Sequence, residues 1–132
     1  MLLDGFSGYN QVLVAEEHKL KTTFRTKWGT FAYRRMPFGL INIGATFQRA
    51  MDIAFRGLIS RSIVVYLDDI TIFSKKRGEH AFHLRQIFER CWKYGISLNP
   101  KKCVFAVTEG KLLGHIVSKQ GISIDPERIK AI

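Results

Sequence analysis

The stretch Ile63-Val64-Val65-Tyr66-Leu67-Asp68-Asp69-Ile70-Thr71-Ile72-Phe73 decides how the rest of the chain is read. Two adjacent carboxylates separate two short runs rich in β-branched and aromatic residues. Runs of this kind read as buried strands, and the acidic pair between them reads as the tight turn of a hairpin. Asp is a favourable turn residue on its own account, so the pair alone is also explained by turn chemistry. Two acids at the tip of an apolar hairpin are costly, however, unless a cation neutralises them.

Outward from that hairpin, the preceding segment changes period. Phe47, Met51, Ala54, Phe55 and Leu58 repeat at helical spacing from about Ala45, with Gln48, Arg49, Asp52 and Arg56 on the other side and Gly57 and Ser60 marking the end. After the basic loop Lys75–Gly78, a second amphipathic helix is expected from about Glu79 to Tyr94. Its buried stripe is Ala81, Leu84, Ile87, Phe88 and Cys91, and Gly95 stops it. Upstream, Met1 to Leu3 read as the end of a buried strand closed by Asp4, followed by a loop from Gly5 to Asn10. Thr22–Thr26 and Thr30–Arg34 form a hairpin, and Pro37 and Gly39 break regular structure. Downstream, short strands are expected around Ile96–Leu98, Val104–Val107, Leu112–Ser118 and Ile122–Ile124. Asp125-Pro126-Glu127 then caps a final helix. The order implies one α+β domain over residues 1–132, an antiparallel sheet with helices packed on one face.

With 46% hydrophobic and 12% aromatic residues, the 132-residue chain is expected to fold around one core. No apolar run approaches a membrane span, and no signal peptide opens the chain. Its 21 Lys and Arg against 11 Asp and Glu leave a net charge of +10, which suits a polyanion: nucleic acid, an anionic membrane face or an acidic neighbour. Cys91 and Cys103 read as reduced packing residues. A zinc site from them with His80, His83 and His115 lacks the Cys-x-x-Cys knuckle such sites use. The abrupt start and the end one turn into a helix suggest a segment of a longer chain.

If the fold brings Asp4 beside Asp68 and Asp69, three acids share one place. Like charges at close range oppose ionisation, and hard oxygen ligands favour Mg²⁺ or Mn²⁺ over zinc. Two such ions about 3.5–4 Å apart activate an attacking hydroxyl and stabilise a leaving pyrophosphate.

The blocks Leu3-Asp4-Gly5-Phe6-Ser7-Gly8-Tyr9-Asn10-Gln11, Arg35-Met36-Pro37-Phe38-Gly39-Leu40 with Ala45-Thr46-Phe47-Gln48-Arg49, Tyr66-Leu67-Asp68-Asp69, Gly95 to Cys103, and Leu113-Gly114-His115 occur in this order. Together they resemble the palm of a reverse transcriptase, specifically the gypsy-like long-terminal-repeat retrotransposon branch, across nearly the whole chain. The resemblance implies an RNA-directed DNA polymerase that adds deoxynucleotides to a primer 3′-hydroxyl. It implies that Asp4, Asp68 and Asp69, with the Gly5 backbone, hold two Mg²⁺ or Mn²⁺ ions. Ser7, Gly8, Tyr9, Phe38, Gly39 and Lys102 would meet the incoming deoxynucleoside triphosphate. Tyr9 would be the steric gate against a 2′-hydroxyl, and Lys102 a proton source for pyrophosphate. Gln48, Tyr66, Leu113, Gly114 and His115 would meet an RNA or DNA template and its primer. The implied parent is an intracellular polyprotein carrying protease, RNase H and integrase, with most of the fingers, the thumb and RNase H outside this chain, no membrane partner, and the isolated segment inactive.

One departure is Gly44, where the family more often has proline; it is expected to loosen the start of the helix. A non-catalytic remnant that binds nucleic acid through its basic surface is the alternative reading. Another palm-like enzyme, such as a nucleotidyl cyclase, leaves the Pro37-Phe38-Gly39 and Leu113-Gly114-His115 blocks unexplained.

Overall fold

A computed structural model describes the backbone of residues 2–5 and 8–130, with the side chains of all of these except Asp4. In chain order the elements are β1 (Leu2–Asp4), α1 (Glu16–Lys19), β2 (Thr23–Thr26), β3 (Gly29–Ala32), α2 (Ile43–Ala54), β4 (Ile63–Tyr66), β5 (Asp69–Ile72), α3 (His80–Tyr94), β6 (Gly110–Leu112), β7 (His115–Ser118), β8 (Gly121–Ile124) and α4 (Pro126–Ile129). Short 3₁₀ turns cover Gly8–Gln11, Leu20–Thr22 and Arg77–Glu79.

The central sheet has the order β1-β5-β4, all antiparallel. Ile63 lies opposite Ile72, Val65 opposite Ile70, and Ile70 also opposite Leu3. Because side chains alternate along a strand, these residues share one face. That face meets Phe47, Met51 and Ala54 of α2 and Ile87 and Cys91 of α3 in one core. Ile63, Ile70, Ile72 and Ile87 are fully buried, and burial of each contributes about 1.5–3 kcal/mol. The opposite face holds the alternate positions Leu2, Val64, Tyr66, Asp69 and Thr71. One side of the sheet therefore holds the molecule together and the other is left for function.

The remaining strands form a two-stranded and a three-stranded sheet. The β2–β3 hairpin is an exposed arm on which Phe24 packs against Phe31 and Tyr33, with ring centroids 6.0 and 5.0 Å away. Strands β6-β7-β8 form a meander whose Gly110 approaches Leu2 so closely that a Cβ there would stand 2.8 Å from Leu2 Cδ1.

Several sequence expectations need correction. The turn of the central hairpin is Leu67-Asp68; Asp69 already belongs to β5 and lies opposite Tyr66. Helix α2 starts at Ile43, so Gly44 falls inside its first turn, and it ends at Ala54. The buried stripe of α3 is narrower than its periodicity suggests: Ala81 and Phe88 are exposed because the sheet beneath is only three strands wide. Residues 96–98 and 104–107 form no strands. Their neighbour β1 is so short that it offers each only an isolated bridge, Leu98 to Gly5 and Val104 to Leu2. The polar run at Glu16 forms the short helix α1. As expected, Gly95 ends α3 in the left-handed region, at φ +65°. Its amide donates to Trp92 and that of Ile96 to Cys91, at 3.3 and 2.8 Å. Asp125 Oδ1 accepts from the Glu127 amide at 3.1 Å and caps α4.

Candidate active site

The backbone brings the first acid block to the hairpin. Asp4 and Asp69 are direct partners across β1 and β5, and Tyr66 is the partner of Asp69 on the other side. The three backbone positions form one row across the end of the sheet, with Asp69 and Tyr66 on the face away from the helices. Just beyond that row, the Gly5 amide donates to the Asp68 carbonyl at 3.0 Å. The Asp4 side chain and all of Ser7 lie outside the described residues.

Glycine is required where the loop after β1 meets the turn. A Cβ on Gly8 would lie 2.9 Å from Asp68 Cβ and 3.2 Å from Phe47 Cζ, closer than packed atoms tolerate. On Gly5 it would lie 3.4 Å from Asp68 Cβ. The half-buried Asp68 is thus enclosed on one side by bare backbone.

Tyr9 follows directly. Its ring stands edge-on to Phe38 at 5.1 Å and to Phe47 at 5.2 Å, with interplanar angles of 80° and 84°. Phe38 is itself 77% exposed and projects from an irregular segment that Gly39 turns at φ +99°. Arg35 anchors the same region by donating to the carbonyls of Asn10 and Gln11, at 3.4 and 3.0 Å. The side chain of Gln11 exchanges two hydrogen bonds with the backbone of Ser97, at 2.9 and 2.7 Å.

Helix α2 supports both halves of the site through consecutive residues. Phe47 packs under Gly8 and Tyr9, while Gln48 bonds to the hairpin. Expected to face the template, Gln48 instead has its amide engaged with Leu67, Val65 and Asp52.

Lys102, Asp69, Thr71, Leu2, Val104 and Lys111 line a cavity of about 210 Å³, so the structure brings Lys102 to the flank of the acid row. Leu113 and Gly114 form the β6–β7 turn with φ of +51° and +79°, and His115 begins β7 on an exposed position. Arg128 lies against Gly114, and Lys111 pairs with Asp125 and Glu127 at 3.0 and 2.6 Å. Lys111 holds the Asp125 carboxyl below its ordinary pKa, and the Glu127 amide adds to the effect.

Two histidines escape the zinc chemistry considered from sequence. Ser74 Oγ is shared by His80 Nδ1 and His83 Nδ1, at 2.9 and 2.7 Å. Burial is the foremost cause that lowers the His80 pKa, and a charge on His83 adds to it. Burial raises the Cys91 thiol to about 11, which suits an inert core residue.

For a divalent cation, the donor set at the acid row is oxygen only and matches hard ions rather than zinc. Gly5 and Gly8 let the backbone after β1 pack directly against the Asp68 side chain. Among the described residues, no group of three His, Cys, Asp or Glu side chains gathers at one point. The residues present fit Mg²⁺ or Mn²⁺ provided the Asp4 carboxylate joins them.

An antiparallel sheet with helices on one face, with one acid at the end of β1, one in the hairpin turn and one at the start of β5, is a palm-like α+β arrangement. Residues 1–117 match the family described as reverse transcriptase (RNA-dependent DNA polymerase). The chain is 42% identical over 130 residues to the retrovirus-related Pol polyprotein from transposon 297 of Drosophila melanogaster, and 38% identical to that from transposon gypsy of the same fly. It thus belongs to the reverse transcriptase family. These matches take in 98% of the chain but only 12% and 13% of the two polyproteins. In fold it is similar to a foamy viral protease-reverse transcriptase in complex with RNA/DNA hybrid, with a TM-score of 0.86 at 22% identity over 98% of this chain and 18% of that one.

Proposed function

We propose that this chain is the palm of an RNA-directed DNA polymerase, with most of the fingers, the thumb and RNase H supplied by other parts of a Pol polyprotein. The observation that carries the reading is the row Asp4–Asp69–Tyr66, with Asp68 drawn against Gly5. In this reading the carboxylates of Asp4, Asp68 and Asp69, with the Gly5 backbone, hold two Mg²⁺ or Mn²⁺ ions. Such ions supply activation of the primer hydroxyl and charge stabilisation on the leaving pyrophosphate. The bare backbone from Gly5 to Gly8, with Ser7, admits the triphosphate. Tyr9, braced by Phe38 and Phe47, blocks a ribose 2′-hydroxyl, and Phe38-Gly39 supports the nascent base pair. Lys102, at the flank of Asp69, donates a proton to pyrophosphate. Tyr66 and the Leu113-Gly114-His115 turn hold the primer end and template. Foamy viral reverse transcriptases bound to RNA/DNA hybrid and to dsDNA share the fold, which supports the same partners here.

The test is primer extension by the complete polypeptide on an RNA template. Asp68→Asn is expected to abolish deoxynucleotide addition while leaving primer–template binding in place; undiminished synthesis would sink the assignment. The isolated 132-residue chain is expected to be inactive in the same assay.

The net charge of +10 favours a second reading, a non-catalytic segment that binds nucleic acid electrostatically. That reading requires binding that weakens steeply with salt, with no synthesis by the complete polypeptide.

A further inference from the structure

We infer that Gln48 is a positioning residue that aims Asp68 by holding the hairpin turn, with Asp52 fixing the orientation of its amide. The inference rests on the polymerase reading above for its consequence, but not for its geometry.

Leu67, the residue before Asp68, has φ +53°. A side chain with a Cβ rarely adopts that region, and the conformation persists only where surroundings enforce it. The enforcing group is on another element. The Leu67 amide donates to Gln48 Oε1 at 3.0 Å, and Gln48 Nε2 donates back to the Val65 carbonyl at 3.4 Å. One side chain thus spans the last residues of β4 and the first residue of the turn, 19 positions away in sequence.

An amide can rotate to exchange its oxygen and nitrogen, which would place a donor against the Leu67 donor. Asp52, together with the Val65 carbonyl, prevents this. Its carboxylate only accepts, and it receives Gln48 Nε2 at 3.1 Å one helical turn along α2. The Oε1 atom is thereby committed to Leu67. Because Phe47 packs against Gly8 and Tyr9, α2 carries the register between the loop after β1 and the Asp68 turn on two consecutive residues.

The test uses amide hydrogen exchange at Leu67 in the complete polypeptide, alongside single-nucleotide extension and primer–template affinity. Gln48→Ala is expected to raise Leu67 exchange and lower kcat about tenfold or more, the loss set by an unsatisfied turn amide. Primer–template affinity should be unchanged. The double variant Gln48→Glu with Asp52→Asn should recover slow Leu67 exchange and kcat only in part, since Glu accepts from Leu67 and from Asn but leaves the Val65 carbonyl without its donor. Unchanged Leu67 exchange in Gln48→Ala overturns the proposal. So does weakened primer–template binding with kcat intact, which marks a template contact instead. Should Gln48→Ala not fold, the near-isosteric Gln48→Met removes the acceptor while filling the space and must raise Leu67 exchange; no rise overturns the proposal equally. A wild type with protected Leu67 but no synthesis would refute the polymerase reading and leave the brace standing.

Discussion

Gly8 and Asp68 approach so closely that a Cβ on Gly8 would stand 2.9 Å from the Asp68 Cβ. The contact joins the loop that follows Asp4 to the hairpin turn that holds Asp68. Because Phe47 closes the other side at 3.2 Å, neither neighbour can retreat freely. Gly8→Ala is therefore expected to destabilise the fold by about 1–3 kcal/mol through overpacking. Primer extension should fall further than stability does, since Asp68 must shift. Urea unfolding beside extension kinetics checks both; full activity with normal stability would show that the loop accommodates the methyl group.

Tyr9 is held at right angles to two rings, one exposed and one buried. Truncating Tyr9 to Ala removes both edge contacts, each worth about 0.5–1.5 kcal/mol beyond area burial. In the polymerase reading it also opens the space a 2′-hydroxyl would need. Relative use of ribonucleotides and deoxynucleotides should move toward parity in Tyr9→Ala. Phe38→Ala removes one of the two contacts and should weaken discrimination less. Equal discrimination in wild type and Tyr9→Ala would remove the gate from Tyr9.

Cys91 and Cys103 should differ in reactivity although both are free. Cys91 sits in the core with its thiol raised to about 11 by burial, so little thiolate exists near neutral pH. Cys103 is only half-buried. Alkylation with iodoacetamide at pH 8, followed by peptide mass mapping, should label Cys103 first, with Cys91 labelled only as the fold opens. Early labelling of Cys91 would contradict its burial between α3 and the central sheet.

Much of this arrangement is legible from residue pattern. The β-branched runs specify β4 and β5, Gly95 ends α3, and Asp125 with Pro126 starts α4, because each effect acts within a few residues. The turn itself is not legible. Asp-Asp reads as its centre, but Leu67 takes the left-handed position because Gln48 reaches across from α2 to hold its amide. A hydrogen bond spanning 19 residues leaves no periodic trace. Residues 96–98 and 104–107 read as strands for the opposite reason: their local preference is sound, but the edge of β1 has too few free groups to pair with them. His80 and His83 invite a metal reading by their spacing, whereas the decisive partner, Ser74, follows β5.

Acid should loosen the molecule in two stages, each with its own sign. His80 has a folded pKa below its ordinary 6.5. The unfolded chain therefore binds a proton that the folded chain resists, and the stability at stake is complete above pH 6.5 and lost as pH falls toward the folded value. Asp125 likewise titrates below its ordinary 3.8, with Lys111 the main cause, so its contribution is complete above that pH and lost only as pH falls through its lower folded pKa. Hydrogen exchange across a pH series should first show opening where Ser74 joins the start of α3, and only in stronger acid opening of β6-β7-β8 and α4. Ser74→Ala should weaken the first stage and leave the second in place. A single transition that Ser74→Ala does not move would mean that the histidine node contributes nothing separable to the fold.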